Sequence, residues 1–272
     1  MFLQYFVQGC YLPIAALYVE QALGFTNREK GAFIAALAVG PILAPFVIGQ
    51  LVDRAFSTER VMAFCHLVGG GLMLALYLQT GFWPVIVLGT VYSVMYVPTM
   101  MLSNSLAFQH LRNGEMEFPW IRACGTLGFI APAFLIERFF LQGLEDAELA
   151  KARAVCFALS GVFGIVLGLY SLTLPHTPPI RHERHKYAPG VVMEMLRQRN
   201  FLIIVLVTFL ICIAHQYFFV FNSPFLNEIL RGGGVETASE MRISSIGQWC
   251  EIGVMGILGF VLAQIGYKWT LV

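Results

Sequence analysis

Two groups of polar side chains interrupt otherwise apolar sequence at spacings that suit binding and proton chemistry. Gln248 and Glu251 lie three apart in Ser244-Ser-Ile-Gly-Gln-Trp-Cys-Glu-Ile-Gly-Val-Met-Gly-Ile-Leu-Gly-Phe260, a run with no basic residue between Arg242 and Lys268. On a helix, amide and carboxylate share one face. That face cannot be lipid, because apolar surroundings disfavour an ionised carboxylate. Protonation then becomes accessible, and Glu251 is expected both to carry a proton and to accept hydrogen bonds from a polar ligand. The second group, Arg122, Thr126 and Phe129, follows i, i+4, i+7 spacing and also shares a helical face. An aromatic plate beside directed donors and acceptors suits a ligand with a flat ring and hydroxyl groups. Structural readings compete with each assignment. Arg122 could snorkel to headgroups, Thr126 could bond its own helix, Phe129 could be ordinary packing, and Gln248 with Glu251 could join two helices.

Gln216 sits in Ala214-His-Gln-Tyr-Phe-Phe-Val-Phe-Asn-Ser-Pro224, where polar groups and a proline are expected to break an apolar helix and line a cavity. His215 and His66 read as hydrogen-bonded packing residues and are left out of the site. Cys10, Cys65, Cys124, Cys156, Cys212 and Cys250 each fall in a separate apolar segment without CxxC spacing, so they are expected to be small buried residues; a metal or nucleophile role needs His or acid neighbours, and only Cys250 beside Glu251 comes near.

The elements that must position these side chains are membrane helices. Hydrophobic residues make up 58% of the 272 and charged residues 12%, mean hydropathy is +0.72, and this balance is that of a polytopic membrane protein. A spanning helix needs about 20 mostly apolar residues. About eight such segments are expected: Phe2 to Gly24, Gly31 to Val52, Val61 to Thr80, Trp83 to Asn104, Pro119 to Leu141, Ala152 to Leu174, Phe201 to Leu226 and Ser244 to Tyr267. The runs are continuous, whereas barrel strands alternate, so the fold class is all-α. The net charge of +1 offers no basic stripe for nucleic acid. No HExxH, GxSxG or complete P-loop appears, so neither an enzyme nor a cofactor is expected.

Loop charges favour a cytoplasmic amino terminus, chiefly because PHTPPIRHERHKYAPGVVMEMLRQRN, after the sixth segment, is basic and rich in proline. Residues 1–174 then form a six-helix amino-terminal bundle, 175–200 a cytoplasmic linker, and 201–272 the start of a second bundle. Met1 leads straight into an apolar run, so the first segment is expected to stay. The ending Tyr267-Lys-Trp-Thr-Leu-Val272 reads as a six-plus-six transporter cut short.

Gly49-Gln-Leu-Val-Asp53-Arg54, between the second and third segments, resembles the GxxxDR signature of major facilitator transporters, with Phe56 where the longer motif has glycine. Phe118-Pro-Trp-Ile-Arg-Ala-Cys-Gly-Thr-Leu-Gly-Phe-Ile130 resembles the FPxIRxxGTxGFI signature of the bacterial nucleoside:proton symporter family of that superfamily. Further matches follow in order: Phe2-Leu-Gln-Tyr5, Tyr96-Val-Pro-Thr99 with Asn104, Leu172-Thr-Leu-Pro-His-Thr-Pro178, and Ser245-Ile-Gly-Gln-Trp-Cys-Glu251 against an SxxQxxE pattern. The resemblance implies a major facilitator fold in the bacterial inner membrane, expected to act as a monomer, that couples nucleoside uptake to a proton by alternating access. It implies substrate contacts at Arg122, Thr126, Phe129, Gln216, Gln248 and Glu251, proton coupling at Glu251, and a conformational motif at Gly49, Asp53 and Arg54. Phe219 stands where the family has an asparagine, Cys124 where it has a tryptophan, and the second pocket carboxylate would fall beyond Val272. A sugar symporter of the same superfamily and a non-transporting membrane fragment remain as alternatives.

Overall fold

In the computed structural model, residues 1–44, 56–144, 146–178, 188–234 and 240–270 are described. Within the described residues every expected segment contains helix, the second being described only as far as Ala44. The first is split into α1 (Phe2–Tyr11) and α2 (Ala15–Gln21); α3 (Asn27–Ala44), α4 (Thr58–Tyr77), α5 (Phe82–His110) and α6 (Gly114–Ile136, continued by a π-turn over Glu137–Leu141) follow. Next come α7 (Asp146–Ala152), α8 (Val155–Ser171), α9 (Ala188–Leu196) within the stretch expected as a linker, α10 (Arg199–Gly232), α11 (Glu240–Ser244) and α12 (Ile246–Thr270). By length and composition, six helical stretches among the described residues can cross a membrane: Phe2–Gln21, Thr58–Tyr77, Phe82–His110, Met116–Leu141, Ala147–Ser171 and Arg199–Gly232. Gly49, Asp53 and Arg54 lie outside the described residues.

Pro13 explains the split first span. It has no N–H to give the helix and restricts the residue before it. Its carbonyl is taken instead by the Ser223 hydroxyl, which donates to it at 2.5 Å from α10, so a break inside the membrane keeps its polar group satisfied. The break expected at Pro224 does not occur, because α10 runs unbroken from Arg199 to Gly232 with Pro224 inside it. A proline removes one ladder bond there, and the turns on either side hold the helix together.

Small residues set the closest helix contacts. At Gly161 on α8 an added Cβ would meet Leu74 Cγ at 2.7 Å and the Gly70 carbonyl oxygen at 2.9 Å, so α4 and α8 touch almost backbone to backbone. Likewise Gly128 of α6 meets the Phe2 backbone and Gly9 of α1 meets the Phe129 backbone, which presses the first span onto the helix that bears Arg122. Around this framework the tyrosines pack on one another: Tyr92 and Tyr96 stack at 5.4 Å, and Tyr11 meets Tyr92 edge-on at 5.5 Å.

Buried polar groups are joined in networks. Gln4 Nε2 donates to Thr99 Oγ1 at 2.8 Å, Thr99 Oγ1 donates to the Tyr96 carbonyl at 2.6 Å, and Tyr96 Oη donates to the Gln4 carbonyl at 2.5 Å. Because the Gln4 side-chain oxygen can only accept, the His66 nitrogen 2.8 Å from it, Nε2, carries the hydrogen. His66 is therefore a satisfied core histidine, as its setting in the sequence suggested. At the start of α3, Thr26 and Glu29 form a capping box: the Thr26 amide and hydroxyl both donate to Glu29 Oε2 at 2.8 Å. Those bonds hold the Glu29 carboxyl below its ordinary value. Cys10, Cys65 and Cys156 are buried, whereas Cys124, Cys212 and Cys250 are exposed. The expectation of burial fails for these three because they lie on helix faces that no other described residue covers.

Candidate functional site

The six candidate residues named above meet in one cavity of about 530 Å³, lined by Tyr5, Gln8, Leu12, Met100, Arg122, Thr126, Phe129, His215, Gln216, Gln248 and Glu251. They reach it from separate elements: Arg122, Thr126 and Phe129 from successive turns of α6, Gln216 from α10, and Gln248 and Glu251 from α12. The apolar runs of α6 and α12 leave these few positions to face each other rather than lipid.

At the centre is a three-part contact. Arg122 Nη1 donates to Thr126 Oγ1 at 3.3 Å, Thr126 Oγ1 donates to Glu251 Oε1 at 3.3 Å, and Arg122 Nη2 lies 3.6 Å from the same carboxylate oxygen. Thr126 thus bridges two helices rather than bonding its own backbone. Arg122 pairs across the helix interface instead of snorkelling. Its guanidinium also lies over the Tyr5 ring, 4.4 Å from the centroid. Gly125 permits this approach, since a Cβ there would stand 2.7 Å from Tyr5 Cδ2. The side chain of Glu251 remains 42% accessible beside the cavity, so one carboxylate oxygen is tied while the group stays reachable by a ligand or water.

Gln248 behaves differently. With its amide turned to satisfy its donors, the side-chain nitrogen donates to the carbonyls of Ser244 at 2.8 Å and Ser245 at 3.3 Å, which anchors it to the start of its own helix while it lines the cavity. Tyr5, Gln8 and His215 belong to the lining although sequence reasoning did not select them. His215 neighbours Gln216 in sequence, and a cavity this wide admits both. Tyr5 carried no spacing signal, because its place depends on the contact of α1 with α6. A larger cavity of about 840 Å³ between Leu17–Gln21 and Tyr217–Arg231 contains none of the six candidates. Both cavities carry charged and polar groups; in the smaller one they stand beside an aromatic plate, Phe129, and include a carboxylate tied to an arginine and a threonine of another helix. Among the described residues no cluster of three or more His, Cys, Asp or Glu side chains could hold a metal ion.

Comparison with known proteins places this chain in a family of transporters. A family model described as Nucleoside H+ symporter matches residues 1–272. YegT of Escherichia coli strain K12 is 31% identical over 274 residues, spanning 98% of this chain and 62% of that protein. The xanthosine permease of the same strain is 25% identical over 283 residues, spanning 98% and 65%. The nucleoside permease NupG of that strain is 28% identical over 190 residues, spanning 68% and 43%. The chain therefore spans less than two thirds of the length of these relatives. A crystal structure of a mutant nucleoside transporter NupG superposes with a TM-score of 0.83 at 21% identity, covering 97% of this chain and 67% of that one. A second crystal structure of NupG gives 0.78 at 22%. The fold is that of a major facilitator transporter and the protein crosses the membrane several times. With the family's model matching from the first residue to the last, the chain belongs to the nucleoside H+ symporter family.

Proposed function

We propose that this chain is the nucleoside-binding and proton-coupling part of a symporter that takes up nucleosides across the bacterial inner membrane by alternating access. The observation that carries this reading is the cavity in which Arg122, Thr126 and Phe129 of α6 face Gln216 of α10 and Gln248 and Glu251 of α12. Phe129 offers a plate for the base, and the amides and Thr126 offer donors and acceptors for ribose and base edges. The names of the xanthosine and nucleoside permeases among its relatives support a nucleoside ligand. Glu251 is assigned the coupled proton. When protonated it releases Arg122 to a ligand while Thr126 still orients the carboxyl group, and when ionised it recaptures Arg122, so substrate affinity and proton occupancy are linked through one oxygen.

In this reading residues 1–174 form the amino-terminal six-helix bundle, 175–200 a cytoplasmic linker and 201–272 the start of the carboxyl-terminal bundle. The amino terminus is cytoplasmic, the unit is a monomer, and Gly49, Asp53 and Arg54 form a conformational motif assigned on sequence alone. The test is uptake of labelled uridine and adenosine by the complete protein in proteoliposomes with an imposed pH gradient. Gradient-dependent uptake, inhibited by unlabelled nucleosides and not by monosaccharides or disaccharides, is the expected result. Inhibition by sugars alone would place the substrate in another class.

A further inference from the structure

A second polar constellation lies away from the cavity, at the end of the bundle where the first span finishes. Arg153, in the turn between α7 and α8, donates through Nη1 to Gln21 Oε1 at 2.6 Å. Gln21 Nε2, at the end of α2, donates to Asn227 Oδ1 on α10 at 3.1 Å, and Asn227 Nδ2 donates to Glu240 Oε2 at 2.9 Å. Glu240, the first residue of α11, closes the ring with its Oε1 2.7 Å from Arg153 Nη2. Two members precede the linker and two follow it. The side chains of Arg153 and Glu240 are each 1% exposed. Beside them Met241 joins an apolar cluster that includes Leu17, Leu149 and Ile136, which covers one side of the ring, while Gln21 and Asn227 also line the cavity of about 840 Å³.

The energetics are those of a reversible closure. Taking two charges out of water is costly, and their attraction compensates only when geometry and hydrogen bonding are good. Here compensation is incomplete: Arg153 Nε has no acceptor among the described residues, and the contact of Nη2 with Oε1 is close without hydrogen-bond alignment. Parting the ring would return both ions to water and recover hydration. A pair so balanced holds the ends together yet permits opening. An apolar pair in its place would gain nothing from water and would favour closure. Arg242 Nη1, 3.3 Å from Glu137 Oε1 at the rim, adds a second link between α11 and the end of the fifth span.

We propose that Arg153, Gln21, Asn227 and Glu240 form a gate joining the two halves at this end, which parts when the transporter opens there. The inference rests on the alternating-access reading above. Its test uses the complete protein in nanodiscs, with native cysteines replaced and nitroxide labels at Lys151→Cys and Gly232→Cys, two exposed positions on opposite sides of the ring. Double electron–electron resonance then reads the separation without any nucleoside. Glu240→Gln, of nearly the same shape, leaves Arg153 without a counter-ion and should raise the ratio of long to short separations by at least roughly tenfold. Asn227→Ala, which removes only a neutral member, should shift it the same way by about fivefold. The double variant Arg153→Met/Glu240→Leu should restore the short separation and slow uptake. Unchanged separations in both Glu240→Gln and Asn227→Ala would overturn the gate, as would a double variant that opens as far as Glu240→Gln. Separations that respond as described in a protein that moves no nucleoside would leave the gate standing and remove the substrate assignment.

Discussion

Replacing Thr126 by valine removes one oxygen and keeps the side chain's shape, which makes it a sharp probe of the cavity. That oxygen accepts from Arg122 at 3.3 Å and donates to Glu251 at 3.3 Å, and Thr126 is only 2% exposed, so water cannot readily substitute. A hydrogen bond to a charged group contributes about 1.5 to 3 kcal/mol. Both bonds here are long, which favours the lower figure, and they share an atom, so they do not simply add. A loss of about 2 kcal/mol is expected, which corresponds to roughly 30-fold in affinity. Without the bridge, the 3.6 Å contact of Arg122 with Glu251 is left to orient the carboxylate alone. Equilibrium binding of uridine and adenosine to the complete, solubilised protein should therefore weaken by one to one and a half orders of magnitude in Thr126→Val. Thr126→Ser, which keeps the hydroxyl, should stay within about threefold of the parent. Parent-like affinity in the valine variant, or equal loss in the serine variant, would refute the bridging role.

Gly161→Leu should lower the midpoint of thermal unfolding in detergent, because its Cβ would meet Leu74 and the Gly70 carbonyl at 2.7 and 2.9 Å; overpacking costs about 1 to 3 kcal/mol. Gly71→Ala, which enters open space, should leave that midpoint unchanged. Gln4→Leu strips His66 Nε2 of its acceptor and Thr99 Oγ1 of its donor in a buried setting, a destabilisation of about 1 to 3 kcal/mol. Adding His66→Leu should recover part of the same midpoint, since an apolar pair leaves fewer polar groups unsatisfied.

The six candidate residues, which the family resemblance implied, line one cavity, and helical spacing accounts for part of that convergence. Once α6 and α12 are recognised as membrane helices, Arg122, Thr126 and Phe129 must share one face and Gln248 and Glu251 another, and the cost of exposing them to lipid turns those faces inward. What sequence could not supply are contacts decided by how helices approach. Tyr5 reaches Arg122 only because Gly125 leaves room for its ring. Pro13 and Pro224, both in apolar runs, look alike on paper, yet Pro13 ends a helix and Pro224 does not. No local pattern links Arg153 to Glu240, far along the chain, and its burial there emerges only from the fold. The cysteines went half wrong for a related reason, since an apolar segment does not reveal which of its faces another helix will cover.

The central claim, that Glu251 links proton movement to nucleoside movement, is tested most directly by accumulation in Glu251→Gln. One charge moving down about 100 mV yields roughly 2.3 kcal/mol, and about 1.4 kcal/mol is tenfold, so the parent can concentrate a neutral nucleoside roughly 40-fold. The complete protein carrying Glu251→Gln, reconstituted in vesicles with an imposed potential and pH gradient, should bring labelled uridine or adenosine only to equal concentrations inside and out, while still exchanging it across the membrane. Accumulation at the parent's level, with the gradient intact and comparable amounts of protein inserted, would contradict the account.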